Sequence, residues 1–315
     1  MRIPARGAAR FFKYARARHA IHVKRVAGEP KPWTRDPILR QYKFTNVFRE
    51  LDATTQWFRI HARHEMRNLP EVLLATVVFR MLNRIEVGEA VFCQLIGPPF
   101  ECPQLLGHGS RSLTRTAFEL FAHDGDPRHL RRAIKNALPR GPYVTGAYII
   151  TSPPGLPKLD GVLQVLSGFY DLSGWRRKAE ELLQGKLQRM EPTWRWLSDQ
   201  PYLGSFHSYE IVCDLRYTDL LRRAPDRMTW ANPGPGARRG LNRVLGLDKR
   251  DRSLRREDLI EGMRALLALS RHDDRWPQLW PRWEMREVEH TLCEFDKYER
   301  VRLGEGTPRG RYDGG

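Results

Sequence analysis

Apolar positions recur at helical spacing along most of the chain. Phe44, Val47, Phe48 and Leu51 fall three or four residues apart and Phe58 continues the stripe, with Lys43, Asn46, Arg49 and Glu50 on the other side; this predicts a first strong helix. A second is expected to start near Pro70, where a first-turn proline is tolerated, and to carry Val72, Leu73, Val77, Val78, Met81 and Leu82 into full burial. Residues 114–121, 126–138, 161–170, 175–190 and 192–197 pattern as further helices. The one β-prone run, residues 143–151, is bounded by Gly and Pro and predicts a short strand or extended segment. Between 87 and 103 the pattern weakens, and GPPFECPQ is a loop by composition. The class expected is mainly α with at most a short β segment.

Residues 1–32 divide from this helical body. MRIPARGAARFFKYARARHAIHVKR contains no acidic residue and reads as a basic arm, followed by a proline-rich connector, GEPKPWTRDP. It has neither the apolar segment nor the small-residue cleavage site of a secretory signal. The body, 33–302, is one domain or two packed lobes, 33–190 and 191–302, and 303–315 reads as a flexible tail. The longest apolar run, 73–82, is interrupted by Thr76 and Arg80, so no membrane partner is expected.

Charge sharpens the choice of partner. Lys and Arg number 54 against 37 Asp and Glu, a formal net charge of +17, most of it arginine. Guanidinium groups bind phosphate oxygens in bidentate fashion and stack on bases, which favours nucleic acid as the polyanion. Cys93, Cys102, Cys213 and Cys293 are too few and irregular for a disulfide framework, and a reducing cytoplasm fits them. His61 and His64 beside Glu65 lack the spacing of a zinc helix and read as a polar helix face; no metal or cofactor is indicated.

Three segments carry candidate chemistry. In QPYLGSFHSYEIVCDLRYTDLL, residues 200–221, a tight turn at Tyr202 to Ser205 precedes a helix, the outline of a helix-hairpin-helix whose Gly204 backbone can hold a DNA phosphate. Tyr202 stands where the first of two turn glycines is usual. Asp226 lies near the spacing of the acidic residue that works at a flipped base, and Asp214 sits earlier; paired with Arg216 it also reads as a surface charge pair. In TWANPGPGARRGLNRVL, residues 229–245, Gly234 and Gly236 make a stiff loop before a helix. With Arg238 and Arg239 it fits a pyrophosphate or DNA phosphate, or an ordinary interhelical turn. In WEMREVEHTLCEFDKYERVR, residues 283–302, Met285, Val288, Leu292 and Phe295 define a helix; Glu287, His290, Glu294 and Lys297 crowd its polar side, a pattern that by itself fits a solvated, ion-paired face.

WTRDPILRQYKFTNVFRELDATTQW, GSFHSYEIVCDLRYTD, WANPGPGARRGL and MREVEHTLCEFDKYER together resemble one family from about Trp33 to Arg302: the helical domain of the 5-hydroxymethyluracil DNA kinases, related to the alpha-glutamyl/putrescinyl thymine pyrophosphorylases of bacteriophages. The resemblance implies a helix-hairpin-helix, DNA-glycosylase-like helical fold acting in the host cytoplasm. It also implies a place in thymine hypermodification, where an amine (amino acid or polyamine) displaces pyrophosphate from the modified base in double-stranded DNA. A noncatalytic DNA-binding partner of a 5-hydroxymethyluracil DNA kinase, or a base-excising glycosylase, are the other readings. Family motifs include Lys43, Asn46, Arg49, Asp214, Arg216, Gly234, Gly236, Glu294, Lys297 and Tyr298. For the displacement, Asp214, Glu294 or His290 is expected as base; Lys43, Asn46, Arg49, Arg216, Arg238, Arg239 and Lys297 are expected at phosphates, and Tyr202, Tyr217 or Trp230 against the extruded base. No GxxxxGK[ST] phosphate loop occurs in the sequence, so a kinase reaction is not expected of this chain.

Overall fold

Ala8, Phe11, Phe12 and Ala15 form an apolar stripe among the N-terminal arginines, and in the computed structural model that stripe is buried on a helix, α1 (Ala5–Val26). The structure describes residues 1–96, 115–146, 149–185, 188–308 and 310–312. Residues 5–26 are therefore a packed helix where the sequence suggests a basic arm; the arginines occupy the remaining faces and hide the stripe from a reading of composition.

The chain forms two compact units, one of Met1–Asp52 with Pro225–Gly315 and one of Ala53–Ala224. This division differs from lobes split at 190/191, because the N-terminal segment belongs with the C-terminal third. In the first unit, α1 packs on α12 (Pro235–Leu245) and α14 (Met285–Arg302), and α14 also meets α2 (Pro37–Gln41) and α13 (Arg256–Leu269), numbered in chain order. Phe11 meets Trp283 and Phe295 edge-on, with ring centroids 5.8 and 5.7 Å away, so the core is largely aromatic. Two helix pairs approach closely through glycine. A Cβ at Gly240 of α12 would lie 2.2 Å from the Leu292 carbonyl oxygen of α14, and one at Gly7 of α1 would lie 1.8 Å from that of Val244.

Residues 44–51 do not form the expected helix. Phe44, Val47 and Phe48 are buried, yet the backbone is irregular until a single 3-10 turn at Arg49–Leu51. Asn46 explains the difference: its backbone N–H donates to Asp52 Oδ1 at 2.9 Å and its side-chain amide to Leu51 O and Asp52 Oδ1 at 3.0 and 2.8 Å. Such local side-chain bonds offer the backbone an alternative to the helical ladder. The C-terminal segment is held to the same stretch: Lys43 N–H donates to Gly310 O at 3.0 Å and Tyr312 N–H to Gln41 O at 2.9 Å. At least residues 310–312 are thus paired, where a flexible tail is expected from the sequence.

The second unit is organised on α4 (Glu71–Leu82), in which every residue from Val72 to Leu82 is buried. The all-round apolar pattern foretells this, and each large side chain so buried contributes about 1.5–3 kcal/mol. Thr76 satisfies its hydroxyl on Val72 O at 2.7 Å. α3 (Ala53–Phe58) runs into a π-turn at Arg59–Arg63 and stacks Phe58 on Phe79 with centroids 4.3 Å apart. α5 (Ile85–Gly88), α6 (Ala117–Asp124), α7 (Pro127–Ala137), α8 (Lys158–Leu172), α9 (Trp175–Leu183), α10 (Met190–Ser198) and α11 (Gly204–Leu215) complete it. The helix expected over 175–190 ends at Leu183, with Gly185 left-handed at φ 77°. Residues 143–146 and 149–151 carry no strand; β1 (Leu95–Ile96) and β2 (Arg115–Thr116) instead pair antiparallel, Leu95 opposite Thr116. The loop read at GPPFECPQ, and Cys102 within it, lie outside the described residues. Among those described, no helix is long and apolar enough to cross a membrane. The fold is mainly helical, as the periodicity implies.

Candidate functional site

The Pro-Gly-Pro-Gly loop opens directly onto a helix. Gly234 is the N-cap of α12, Pro235 takes the first helical position, and no side chain caps the end. First-turn amides have no acceptor within their own helix, so those of Gly236 and Ala237 sit at the positive end of the helix dipole. In front lies a recess of about 820 Å³, lined by Gly234 and by Arg238, Arg239, Lys249, Arg250 and Arg252, with Asp251 as the one carboxylate. Arg238 is braced on Leu254 O at 2.6 Å and Arg239 on Asp296 at 2.8 Å. Lys249 pairs with Glu305 at 2.8 Å; Arg243 first, and then Lys249, hold that carboxyl down to about 2. Arg250 and Arg252 are exposed. An uncapped helix N-terminus with converging guanidinium groups has the chemistry of a phosphate site.

The two glycines of this loop do different things. A Cβ at Gly234 would meet nothing within 4 Å, whereas one at Gly236 would lie 3.0 Å from Cys293 Sγ. Gly236, with Gly240 one turn on, serves the close packing of α12 on α14, and Gly234 leaves the backbone open at the recess.

On α14 the polar side is buried, in contrast to the solvated face that its charge pattern suggests. Glu287, Glu289, His290, Asp296 and Glu299 all lie in the interior. Arginines remote in sequence hold the two oxygens of Asp296, Arg239 at 2.8 Å and Arg243 at 2.9 Å, and within α14 itself Arg286 pairs with Glu289 at 2.8 Å. Glu294 accepts the Thr45 backbone N–H at 3.0 Å and pairs with Lys297 at 2.7 Å. The Thr45 hydroxyl shares a hydrogen with His290 Nε2 at 2.6 Å, and Lys297 Nζ sits 4.8 Å above the Phe44 ring. Tyr298 donates to Asp36 at 2.6 Å, an interaction that, after burial, pushes the phenol upward. Residues 33–52 and 285–300 therefore meet at Thr45, whose backbone N–H donates to Glu294 and whose hydroxyl hydrogen-bonds to His290. Lys43 is exposed; Asn46 is spent on Asp52, and Arg49 lies 3.4 Å from Asp52.

In the second unit Asp214 is interior, with 2% of its surface exposed. Arg80 Nε and Nη2 donate to its two oxygens at 2.6 and 2.8 Å, and Arg63 Nη1 donates at 3.0 Å; Arg80 also reaches Asn83 and Thr55. A carboxylate gripped by two guanidiniums ties α4 and the π-turn to α11, and the surface pair with Arg216 is replaced by this buried clamp. Arg216 is itself buried and donates to the Tyr217 hydroxyl at 2.7 Å. Of the aromatic candidates, Tyr202 and Tyr217 are exposed, whereas Trp230, in the first unit, is buried and so not presented for stacking. Asp226 is buried too. Tyr202 has φ 66° and Gly204 φ 58°, so the tyrosine adopts the left-handed conformation that glycine ordinarily supplies. Phe206 is exposed beside it.

His61 is exposed and stacks on Trp57, centroids 5.0 Å apart. Among the described residues no group of three or more His, Cys, Asp or Glu could hold a metal ion. Sequence reasoning missed Thr45, Arg63 and Arg80, for which the sequence carries no local signal, and Lys249, Arg250 and Arg252, which stand in plain view as a basic run after Gly246.

Helices, an arginine-lined recess at the start of α12 and the Thr45, His290 and Glu294 contact define a mainly helical protein with a basic concave surface. More particularly, residues 6–104 and 111–307 match the family model described as 5-hmdU DNA kinase, helical domain, and the chain belongs to that family. A 5-hmdU DNA kinase of Bacillus phage SP10 is 23% identical over 298 residues, covering 87% of this chain and 41% of that protein. The chain thus spans about two fifths of the length of the curated relative it matches. No solved structure matches it.

Proposed function

We propose that this protein acts on DNA in thymine hypermodification, as a transferase that replaces the pyrophosphate of 5-pyrophosphoryloxymethyluracil with an amine. The observation that carries the reading is the basic recess at the uncapped N-terminus of α12. In the reaction the amine nitrogen bonds to the methylene carbon and the C–O bond breaks. Pyrophosphate leaves with the bonding electrons, and the nitrogen loses one proton to a base. Developing negative charge on the leaving oxygen calls for cations and amides already in place, which Arg238, Arg239, Arg250 and the α12 amides supply. Glu294 and His290, bridged by Thr45, are the proton acceptors in this scheme.

The phage relative is a 5-hmdU DNA kinase, which supports a substrate of the same kind here. The absence of a GxxxxGK[ST] loop from this sequence favours the step after phosphorylation. The helix-hairpin outline of α10 and α11, with exposed Tyr202 and Phe206 at its turn, fits a duplex-backbone contact beside an extruded base. A second reading, a noncatalytic module that positions DNA for a kinase, is favoured by the match to one domain of a longer kinase. The two separate on incubation of DNA carrying the pyrophosphorylated base with glycine, glutamate or putrescine, followed by nucleoside mass spectrometry. A nucleoside heavier by the amine supports the transferase. Tight binding with unchanged nucleosides for every amine supports the module and refutes the transferase.

A further inference from the structure

Apart from the recess at α12, the first unit contains a smaller pocket of about 90 Å³ between α1 and the connector that follows it. Four cations line it: Arg18 and Arg25 from α1, Lys31 from the connector and Arg40 from α2. Four rings complete the wall, Trp33, Tyr42, Phe44 and Tyr312, and no carboxylate is among the lining residues. Lys31 Nζ lies 5.5 Å from the Trp33 ring centroid and 6.0 Å from that of Tyr312, so both rings border the same part of the pocket. Trp33 is fixed by its indole N–H on Glu29 O at 2.7 Å, and Tyr312 by its backbone N–H on Gln41 O at 2.9 Å. The rings are thus built into the wall.

Two polar groups add direction. Arg18 donates Nε and Nη2 to Phe44 O at 3.1 and 3.0 Å, leaving Nη1 without a hydrogen bond. The Nδ1 atom of His22 is buried and has no partner. Burial, with Arg25 and Arg18 next, lowers the imidazole's proton affinity, which keeps it neutral and able to meet the edge of a heterocycle.

Cations alone would suit any anion, and rings alone any apolar group. Their alternation in one concave site suits a ligand with a flat π-face and a negative charge a few ångströms away. We infer that this pocket binds a phosphorylated nucleoside, its base stacked on Trp33 and Tyr312 and its phosphate facing Arg18, Arg25 and Arg40. The nucleotide comes either from a DNA strand or from free solution. The inference does not require the transferase chemistry above, since it concerns binding at residues which that scheme leaves unused.

Calorimetry on the full chain tests it with dTMP, thymidine, inorganic phosphate and a single-stranded thymidine oligonucleotide as probes. Saturable dTMP binding is expected to be at least tenfold tighter than that of thymidine or phosphate. Trp33→Ala should weaken it about tenfold or more, from the usual worth of a stacked base, and Trp33→Phe should restore most of the loss. Arg25→Ala and Arg40→Ala change exposed side chains and should each weaken dTMP binding with unchanged circular dichroism. Arg195→Ala, on α10 and outside both basic sites, should leave it unaltered. Binding of the oligonucleotide but not dTMP, lost in Trp33→Ala, supports the pocket and identifies DNA as the source; the converse identifies free nucleotide. Equal affinity for dTMP and inorganic phosphate, no binding of any probe, or dTMP binding untouched by Trp33→Ala overturns the inference, whatever the outcome of the amine-transfer assay.

Discussion

Asp214→Asn distinguishes a structural carboxylate from a catalytic one. Asp214 stands among the family motifs and by sequence is a candidate base, yet both its oxygens are held by Arg80, at 2.6 and 2.8 Å, and one also by Arg63 at 3.0 Å. All three side chains are buried. Removing one charged partner from a buried pair ordinarily costs about 3–5 kcal/mol. For a unit of this size each kcal/mol lowers the melting temperature by roughly 2–4 °C, so a fall of about 6–20 °C is expected. Thermal unfolding followed by circular dichroism, with a urea titration at 25 °C, measures it. Arg80→Met should cost a similar amount, and the double variant less than the sum, because the two act on one interaction. A stable Asp214→Asn protein, melting within about 2 °C of the parent on that same scale but devoid of amine transfer, would refute this reasoning and return Asp214 to the reaction.

Gly240→Ala forces a methyl group to within 2.2 Å of the Leu292 carbonyl oxygen and is expected to destabilise by at least about 1–3 kcal/mol in urea unfolding; an unchanged midpoint would contradict the close approach of α12 to α14. Burial, and next the neighbouring His22 and Arg18, lower the His19 pKa to about 4 from 6.5. Between those values the unfolded chain binds a proton that the folded one does not, so stability should be lost as pH falls from about 6.5 towards 4, by about 3 kcal/mol in all. His19→Phe should flatten that slope, read from urea midpoints at pH 7, 6 and 5, and an equally steep slope would count against the buried neutral imidazole. Arg250→Ala should weaken duplex binding and lower the slope of log affinity against log salt by about 1 for each phosphate it no longer neutralises; an unchanged slope would remove the recess from the DNA-binding surface.

Local signals announced some of this structure and were silent on the rest. α4 was legible because its apolar residues run round the whole helix, and the start of α12 because Pro-Gly-Pro-Gly admits few alternatives. The 44–51 stripe has true helical spacing, and its positions are indeed buried, but Asn46 and Asp52 capture the backbone. α1 was obscured by its own arginines. The face of α14 looked solvated because its partners are not its neighbours: Arg239 and Arg243 lie 57 and 53 residues from Asp296. The clamp on Asp214 spans 134 residues to Arg80, a separation at which no periodicity argument operates. Of the proposed site, the cationic loop was readable in the sequence, whereas the Thr45 bridge between His290 and Glu294 exists only once α14 is folded against the segment before α3.

The most direct test follows pyrophosphate. With DNA carrying 5-pyrophosphoryloxymethyluracil and an amine, the parent protein should release one pyrophosphate for each amine incorporated, and none when the amine is withheld. Glu294→Gln should bind the same DNA as tightly and release almost nothing. Release without amine, or full release by the Glu294→Gln protein, would contradict displacement assisted by this carboxylate.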